Sequence, residues 1–241
     1  MARSVSARDI VGSILIVFIA AGCVRLGLWQ LDRLQQKKDR NAAIHQRMQL
    51  PPVRLGSTSL DSTGIAFRQA VLSGSYDDVH TIILAGRSMD GAPGIYVLTP
   101  VRVGDAGFLV NRGWLPSADA ANVDVKGTQE IAPDSIEGLI VEFSRDPRTD
   151  RDTSEAFRRV WYHLNHDAAQ KKFSYPIANF IVQLLPASAK RGTPRRVDVP
   201  VLDEGPHLSY AIQWFSFAII GLLGWFFLML RSRNSTNGET R

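Results

Sequence analysis

Cysteine is almost absent: Cys23 is the single one among 241 residues. An internal disulfide, a CxxC redox pair, a CxxCH haem-attachment site and a thiolate zinc centre are therefore all excluded. Nucleotide and hydrolase signatures are missing too, because the chain contains no GxGxxG, Walker loop, GxSxG or HExxH. No repeat or low-complexity tract occurs. Charge of one sign is also lacking: 28 Lys plus Arg are interleaved with 23 Asp plus Glu, for a net +5. Without a basic cluster, nucleic acid is not an expected partner. With 45% hydrophobic and 21% charged residues the chain can bury a core, which excludes a disordered tail.

Apolar residues are strongly segregated. Residues 10–24 carry no charge, and beyond Arg25 the apolar character resumes through Leu26, Leu28, Trp29 and Leu31. Residues 208–230 are likewise uncharged, closed by Arg231 and Arg233. Each stretch meets the roughly 20 residues, at about 1.5 Å each, that a bilayer core requires. We expect transmembrane helices at 10–31 and 207–230, a soluble domain at 32–206, and short terminal segments at 1–9 and 231–241 on the opposite side. Trp29, Tyr210 and Trp214 toward the central domain, and Trp225 at the far end, suit interfacial anchoring in membrane lipid.

Orientation follows from positive charge near the spans. Arg3, Arg8, Arg231 and Arg233 favour cytoplasmic termini, whereas Arg33, Lys37 and Lys38, partly balanced by Asp32 and Asp39, argue the reverse. Long domains translocate regardless of charge, so the short termini decide, and the central domain is expected in the periplasm of a bacterial inner-membrane, multi-pass protein. Ala20-Ala21-Gly22-Cys23 resembles a lipoprotein cleavage site, but Leu or Val is missing three residues before the cysteine and the helical pattern runs on. Retention of the first span is the expectation.

Between the spans, residues 29–48 extend the first helix outward until Pro51-Pro52 ends it. Short β-type runs follow at 66–76, 81–87, 95–103 and 108–115, with a hairpin turn at Gly104-Asp105-Ala106-Gly107. Further strands are expected at 135–143, 161–164 and 177–185, and a short helix at 167–173 capped by Asn165. Strands that do not alternate with helices imply a mainly antiparallel β domain of α+β character, curled in the manner of a barrel.

Few residues suggest chemistry. His163 and His166 lack a carboxylate or thiol at ligand spacing, and Asp77-Asp78 and Asp203-Glu204 read as solvated turn residues. No catalytic residue is expected, and a membrane-anchored periplasmic enzyme is the weakest reading. At the start of the second span, His207 shares a helical face with Tyr210, Ala211, Trp214, Ala218 and Gly221. Imidazole is a good axial ligand for haem iron, and small residues let a macrocycle lie close. Equally, the histidine marks a polar boundary and the small residues mark helix packing. Arg25 snorkels to the headgroups or pairs with an acidic group such as a haem propionate.

Four patches carry a resemblance that covers almost the whole chain: Arg25-Leu26-Gly27-Leu28-Trp29-Gln30-Leu31 with Arg33; Gly74-Ser75-Tyr76 with Gly86-Arg87; Gly91-Ala92-Pro93-Gly94 through Leu98-Thr99-Pro100 to Asn111-Arg112-Gly113-Trp114; and His207-Leu208-Ser209-Tyr210-Ala211-Ile212-Gln213-Trp214-Phe215. In these the chain resembles the surfeit locus protein 1 family of cytochrome c oxidase assembly factors. The resemblance implies a non-catalytic, chaperone-like role in respiratory-chain biogenesis: inserting or stabilising haem a in oxidase subunit I, with haem a synthase as a candidate further partner. It implies His207 as the axial iron ligand, with Tyr210, Trp214 and Arg25 as further cofactor contacts. A haem-free scaffold for assembly intermediates is the alternative. Residues 117–134 and 145–157 match nothing diagnostic. For the glycine and NRGW patches a fold-defining turn and core tryptophan are favoured over a contact surface for the oxidase.

Overall fold

A computed structural model of the protein describes residues 7–117, 134–143, 159–186, 194–199 and 202–235. Arg3 and the tail after 235 lie outside them, as does most of the two stretches that match nothing diagnostic. The chain divides into two compact units, residues 1–43 with 202–241, and residues 44–201.

The first unit is built on two helices, α1 (Ala7–Met48) and α3 (His207–Ser235). Both are long and apolar enough to cross a membrane. As expected, α1 runs unbroken from the apolar stretch into its polar extension, because no Gly-Pro pair or proline interrupts it before Pro51. From residue 17 to residue 34, only Ala20, Cys23, Gly27, Gln30 and Leu34 are shielded from solvent. On α3 the shielded set includes His207, Ala211, Trp214, Ala218, Gly221 and Trp225. Steps of four and three in both give a 3.5-residue repeat, the pattern of a left-handed helix pair.

Small residues let the two backbones approach. A Cβ on Gly12 would lie 2.1 Å from the Trp225 ring, and one on Gly27 would lie 2.6 Å from that of Phe215. Ala20, Cys23 and Ala218 form one cluster with Trp214 against it. The Trp225 indole donates to Ser13 Oγ at 3.0 Å. Trp225 is thus a packing residue in the seam.

The second unit is a nine-stranded mixed sheet: β1 (Val53–Arg54), β2 (Gln69–Leu72), β3 (Ser75–Tyr76), β4 (Ile82–Met89), β5 (Ala92–Val103), β6 (Ala106–Pro116), β7 (Ile136–Glu142), β8 (Val160–Trp161) and β9 (Ile177–Leu184). Its strand path is β1-β2-β7-β9-β6-β5-β4-β8, with β3 pairing β5 beside β4. Antiparallel pairs dominate, but β1–β2, β4–β8 and β6–β9 are parallel. The path is open at β1 and β8 among the described residues, which corrects the barrel-like closure to a sheet with two ends. The hairpin at Gly104-Asp105 is found, joining β5 to β6.

β6 lies at the middle and is buried from Ala106 to Trp114. Its alternation splits the core: Phe108 and Val110 join Ile140, Phe180 and Val182 on one side, while Leu109 joins Ile82, Leu98 and Ile177 on the other. The second side is closed by α2 (His166–Gln170), whose cap is Asn165 Oδ1 accepting from Ala168 N at 2.8 Å. The first is covered by the loop before β2, held by Asn179 Nδ2 donating to Asp61 Oδ1 at 2.9 Å. That bond, with those from Thr63, holds the Asp61 carboxyl below its usual range.

Candidate functional site

The sequence motifs of the sheet unit converge on one another. β5 and β6 are neighbours, and a Cβ on Gly94 would lie 2.3 Å from both Leu115 O and Trp114 Nε1. Glycine at 94 therefore makes room for the indole of Trp114, which is 7% exposed. Gly113 has φ of +133°, and a Cβ there would meet Arg195 O at 2.3 Å, where Arg195 pairs with Trp114. The Arg112 side chain is fully buried, 5.1 Å over the Tyr76 ring and 3.6 Å from Asp78 Oδ1. Since both Arg112 and Trp114 are buried, they serve as internal struts, in keeping with the fold-defining reading. The motif lies inside β6 and does not end it; Pro93 and Gly94 lie inside β5, and the β4–β5 turn itself is Asp90-Gly91, both at positive φ.

The polar residues singled out for chemistry have structural partners. His166 Nε2 donates to Ile177 O at 3.1 Å. Asp77 Oδ2 accepts from His80 Nδ1 at 2.7 Å and from the Tyr175 hydroxyl at 2.9 Å. Burial and that carboxylate push the Tyr175 hydroxyl well above its usual range, with the Arg102 guanidinium, 3.9 Å over the ring, opposing them. Asp203 Oδ1 accepts from Gly205 N at 2.9 Å, and Glu204 lies 3.6 Å from Lys38 Nζ. Among the described residues no three or more His, Cys, Asp or Glu side chains are grouped to hold a metal ion.

At the start of α3 the arrangement is more specific. The half-buried His207 ring turns toward α1, with Nδ1 2.9 Å from Gln30 Oε1. Just before it, Asn41 Nδ2 donates to Leu202 O at 3.1 Å and to Asp203 O at 3.2 Å. Gln30, Lys38 and Asn41 thus tether the segment leading into the helix from one side of α1. Gly205, at φ +73°, lies beside the other edge of the ring, where an added Cβ would be 3.6 Å from Nε2.

Of the four expected site residues, His207 and Trp214 share the stripe that faces α1, and Tyr210 flanks it with 45% exposure. Arg25 is exposed, five positions before Gln30, which at about 100° per residue places it on the side of α1 turned away from α3. It lines an apolar groove there with Val24, Leu28, Trp29 and Asp32. The structure therefore places His207 and Trp214 on one face of α3, about two turns apart, and leaves Arg25 on the other side of α1. Gln30 is the site residue that sequence reasoning missed; its signal was a carboxamide in a 3.5-residue repeat of otherwise apolar residues.

Residues 17–219 match the model of the SURF1 family. The chain is similar to a SURF1-like protein of Dictyostelium discoideum, 33% identical over 80% of this chain and 87% of that one. Similarity extends to a SURF1-like protein of Rickettsia bellii (strain RML369-C), 28% identical over 95% and 94%, and to Surfeit locus protein 1 of Homo sapiens, 25% identical over 90% and 77%.

Proposed function

The chain belongs to the SURF1 family, and from that membership and the helix-end geometry we propose that it is a membrane-anchored assembly factor for a haem-copper oxidase, with no catalytic activity of its own. Its central unit lies in the periplasm and both termini in the cytoplasm. Two apolar helices support the membrane reading, since they leave Phe18 73% and Phe227 64% exposed, a cost that lipid removes and water does not. Arg8 and Arg231 at the outer ends support the orientation.

Haem a is the group that the family implies, and His207 is the residue that would hold its iron. A haem would supply a redox-active iron that no side chain here offers. The single observation that carries this reading is the contact of His207 Nδ1 with Gln30 Oε1, which leaves Nε2 as the free ring nitrogen. Ala211, Ala218 and Gly221 do not fit as a cradle for the macrocycle, because α1 fills that face. Tyr210 is the flanking aromatic beside the imidazole. Oxidase subunit I is the proposed recipient and haem a synthase the donor side. A haem-free scaffold is favoured by one observation, the filled small-residue face.

Protein purified from cells that make haem a gives a haem signal in a reduced-minus-oxidised spectrum, and His207→Ala loses it. A clean haem-free preparation removes the cofactor. Unchanged haem content in His207→Ala removes the ligand assignment alone. Normal oxidase levels in a deletion strain remove the assembly role.

A further inference from the structure

Histidine ligates iron through a nitrogen that carries no proton, so whatever fixes the proton on the other nitrogen decides whether the ring is ready. At His207 that group is Gln30. Gln30 presents its carboxamide oxygen 2.9 Å from Nδ1, and an oxygen in this position is satisfied only by an N–H donor. The ring is then the Nδ1–H tautomer, with the lone pair on Nε2. Free histidine side chains do not hold one tautomer firmly, so a partner held in place is needed to do so.

Gln30 is held. It occupies the repeat position between Gly27 and Leu34 on α1, both buried. The segment entering α3 is fixed to the same side of α1 through Asn41 and the Lys38–Glu204 pair. On the opposite edge of the ring Gly205 contributes no side chain, and its amide is tied to Asp203 Oδ1. One edge of the imidazole is therefore engaged by α1 and the other faces a glycine.

We propose that Gln30 is a positioning residue for His207: its carboxamide locks the imidazole as the Nδ1–H tautomer and presents Nε2 toward iron porphyrin. The assignment to iron rests on the function proposed above; the tautomer does not. It also gives Gln30, near the end of the first span, a purpose that boundary polarity alone does not.

Two readouts separate the claims. Nitrogen NMR of the full chain in detergent, with labelled histidine and His207→Ala to assign the signal among the five histidines, reads the tautomer without any haem. We expect Nδ1–H in the wild type, a mixture of tautomers in Gln30→Leu, and Nδ1–H restored in Gln30→Glu, which keeps an acceptor oxygen. An Nε2–H ring in the wild type, or one unchanged in Gln30→Leu, overturns the proposal. Haemin titrated into the same proteins, followed by the low-spin optical signature, should bind about 10–100-fold more weakly to Gln30→Leu, the usual effect of losing an outer-shell partner, and near normally to Gln30→Glu. Equal haemin affinity in Gln30→Leu overturns the positioning role while leaving His207 as ligand. A wild type that binds no haemin but shows the Nδ1–H tautomer overturns the haem reading, leaving the Gln30 lock as a fact about the helix pair.

Discussion

Replacing Gly94 by alanine is the sharpest test of why the glycine motif sits in β5. Alanine in a strand is ordinarily better than glycine by about 0.5–1 kcal/mol, because glycine loses more freedom on folding. The backbone at 94 is not left-handed, so no conformational strain opposes the change. What opposes it is space. The new methyl would stand 2.3 Å from Leu115 O, 2.3 Å from Trp114 Nε1 and 2.4 Å from Trp114 Cε2. The carbonyl belongs to β6, locked to β5 through Ile95↔Leu115 and Gly94↔Pro116, and the indole is buried. Neither can retreat by an ångström without loosening the ladder or exposing the ring. Overpacking of this kind costs about 1–3 kcal/mol and a weakened ladder bond about 1 kcal/mol more. The net expectation is a loss of about 2–3 kcal/mol. In a unit of this size that lowers the melting midpoint by roughly 5–10 °C. Far-UV circular dichroism of the full chain in detergent measures it. Gly56→Ala is the control, since nothing lies within 4 Å of its added Cβ. Trp114→Leu should make the Gly94 substitution less costly by removing one of the two obstacles. A Gly94→Ala protein as stable as the wild type, beside a neutral Gly56→Ala, refutes the reasoning.

Cys23 and Ala218 pack in one cluster, so Ala218→Cys should form an intramolecular disulfide with Cys23 under a mild oxidant, seen as a reducible mobility shift. Gly27→Leu, which drives a side chain into the Phe215 ring, should lower that yield; two thiols that both take maleimide and never cross-link would disprove the seam. For Tyr175 the folded protein holds the hydroxyl proton more tightly than the unfolded chain, whose value is near 10.0. The native state therefore binds more protons above about pH 10, and stability is complete below that pH and falls as pH rises through it. Tyr175→Phe should abolish that alkaline fall, at a cost of about 1 kcal/mol near neutrality from the lost bond to Asp77. Urea unfolding from pH 8 to 11, about the range needed to bracket the step, decides it, and an identical alkaline slope in the variant would be fatal.

The elements legible from sequence are those whose signal is local. Charge-free runs mark the helices, and turn residues bracket β4, β5, β6, β7 and β9. Asn165 marks its helix because a short acceptor side chain before a helical run has one obvious use. What escaped was non-local. The three parallel pairs cannot be read from any one strand; β1, at two residues, is too short to carry a period, and β8 keeps only Trp161 of the strand expected at 161–164. Their partners are chosen by packing against the two faces of β6, which no window of sequence contains. His207 was legible as a residue at a boundary. Its partner was not, because a glutamine near the end of an apolar run looks like the edge of the run.

The seam between the helices shows what Gln30 adds beyond its bond. Trp225 over Gly12 and Phe215 over Gly27 set large against small, so a slip of α3 by one heptad would bring Trp225 to the place of Ala218, against Ala20 and Cys23. It would also set Gln30 against Trp214 in place of His207, leaving a carboxamide oxygen and an imidazole N–H without partners at the edge of an apolar layer. An unmet polar group in such a place costs about 1–3 kcal/mol each. That penalty adds to the steric one. The Gln30–His207 pair at one end of the seam and the Trp225–Ser13 bond at the other therefore reinforce one register, and in that register the imidazole is turned toward α1.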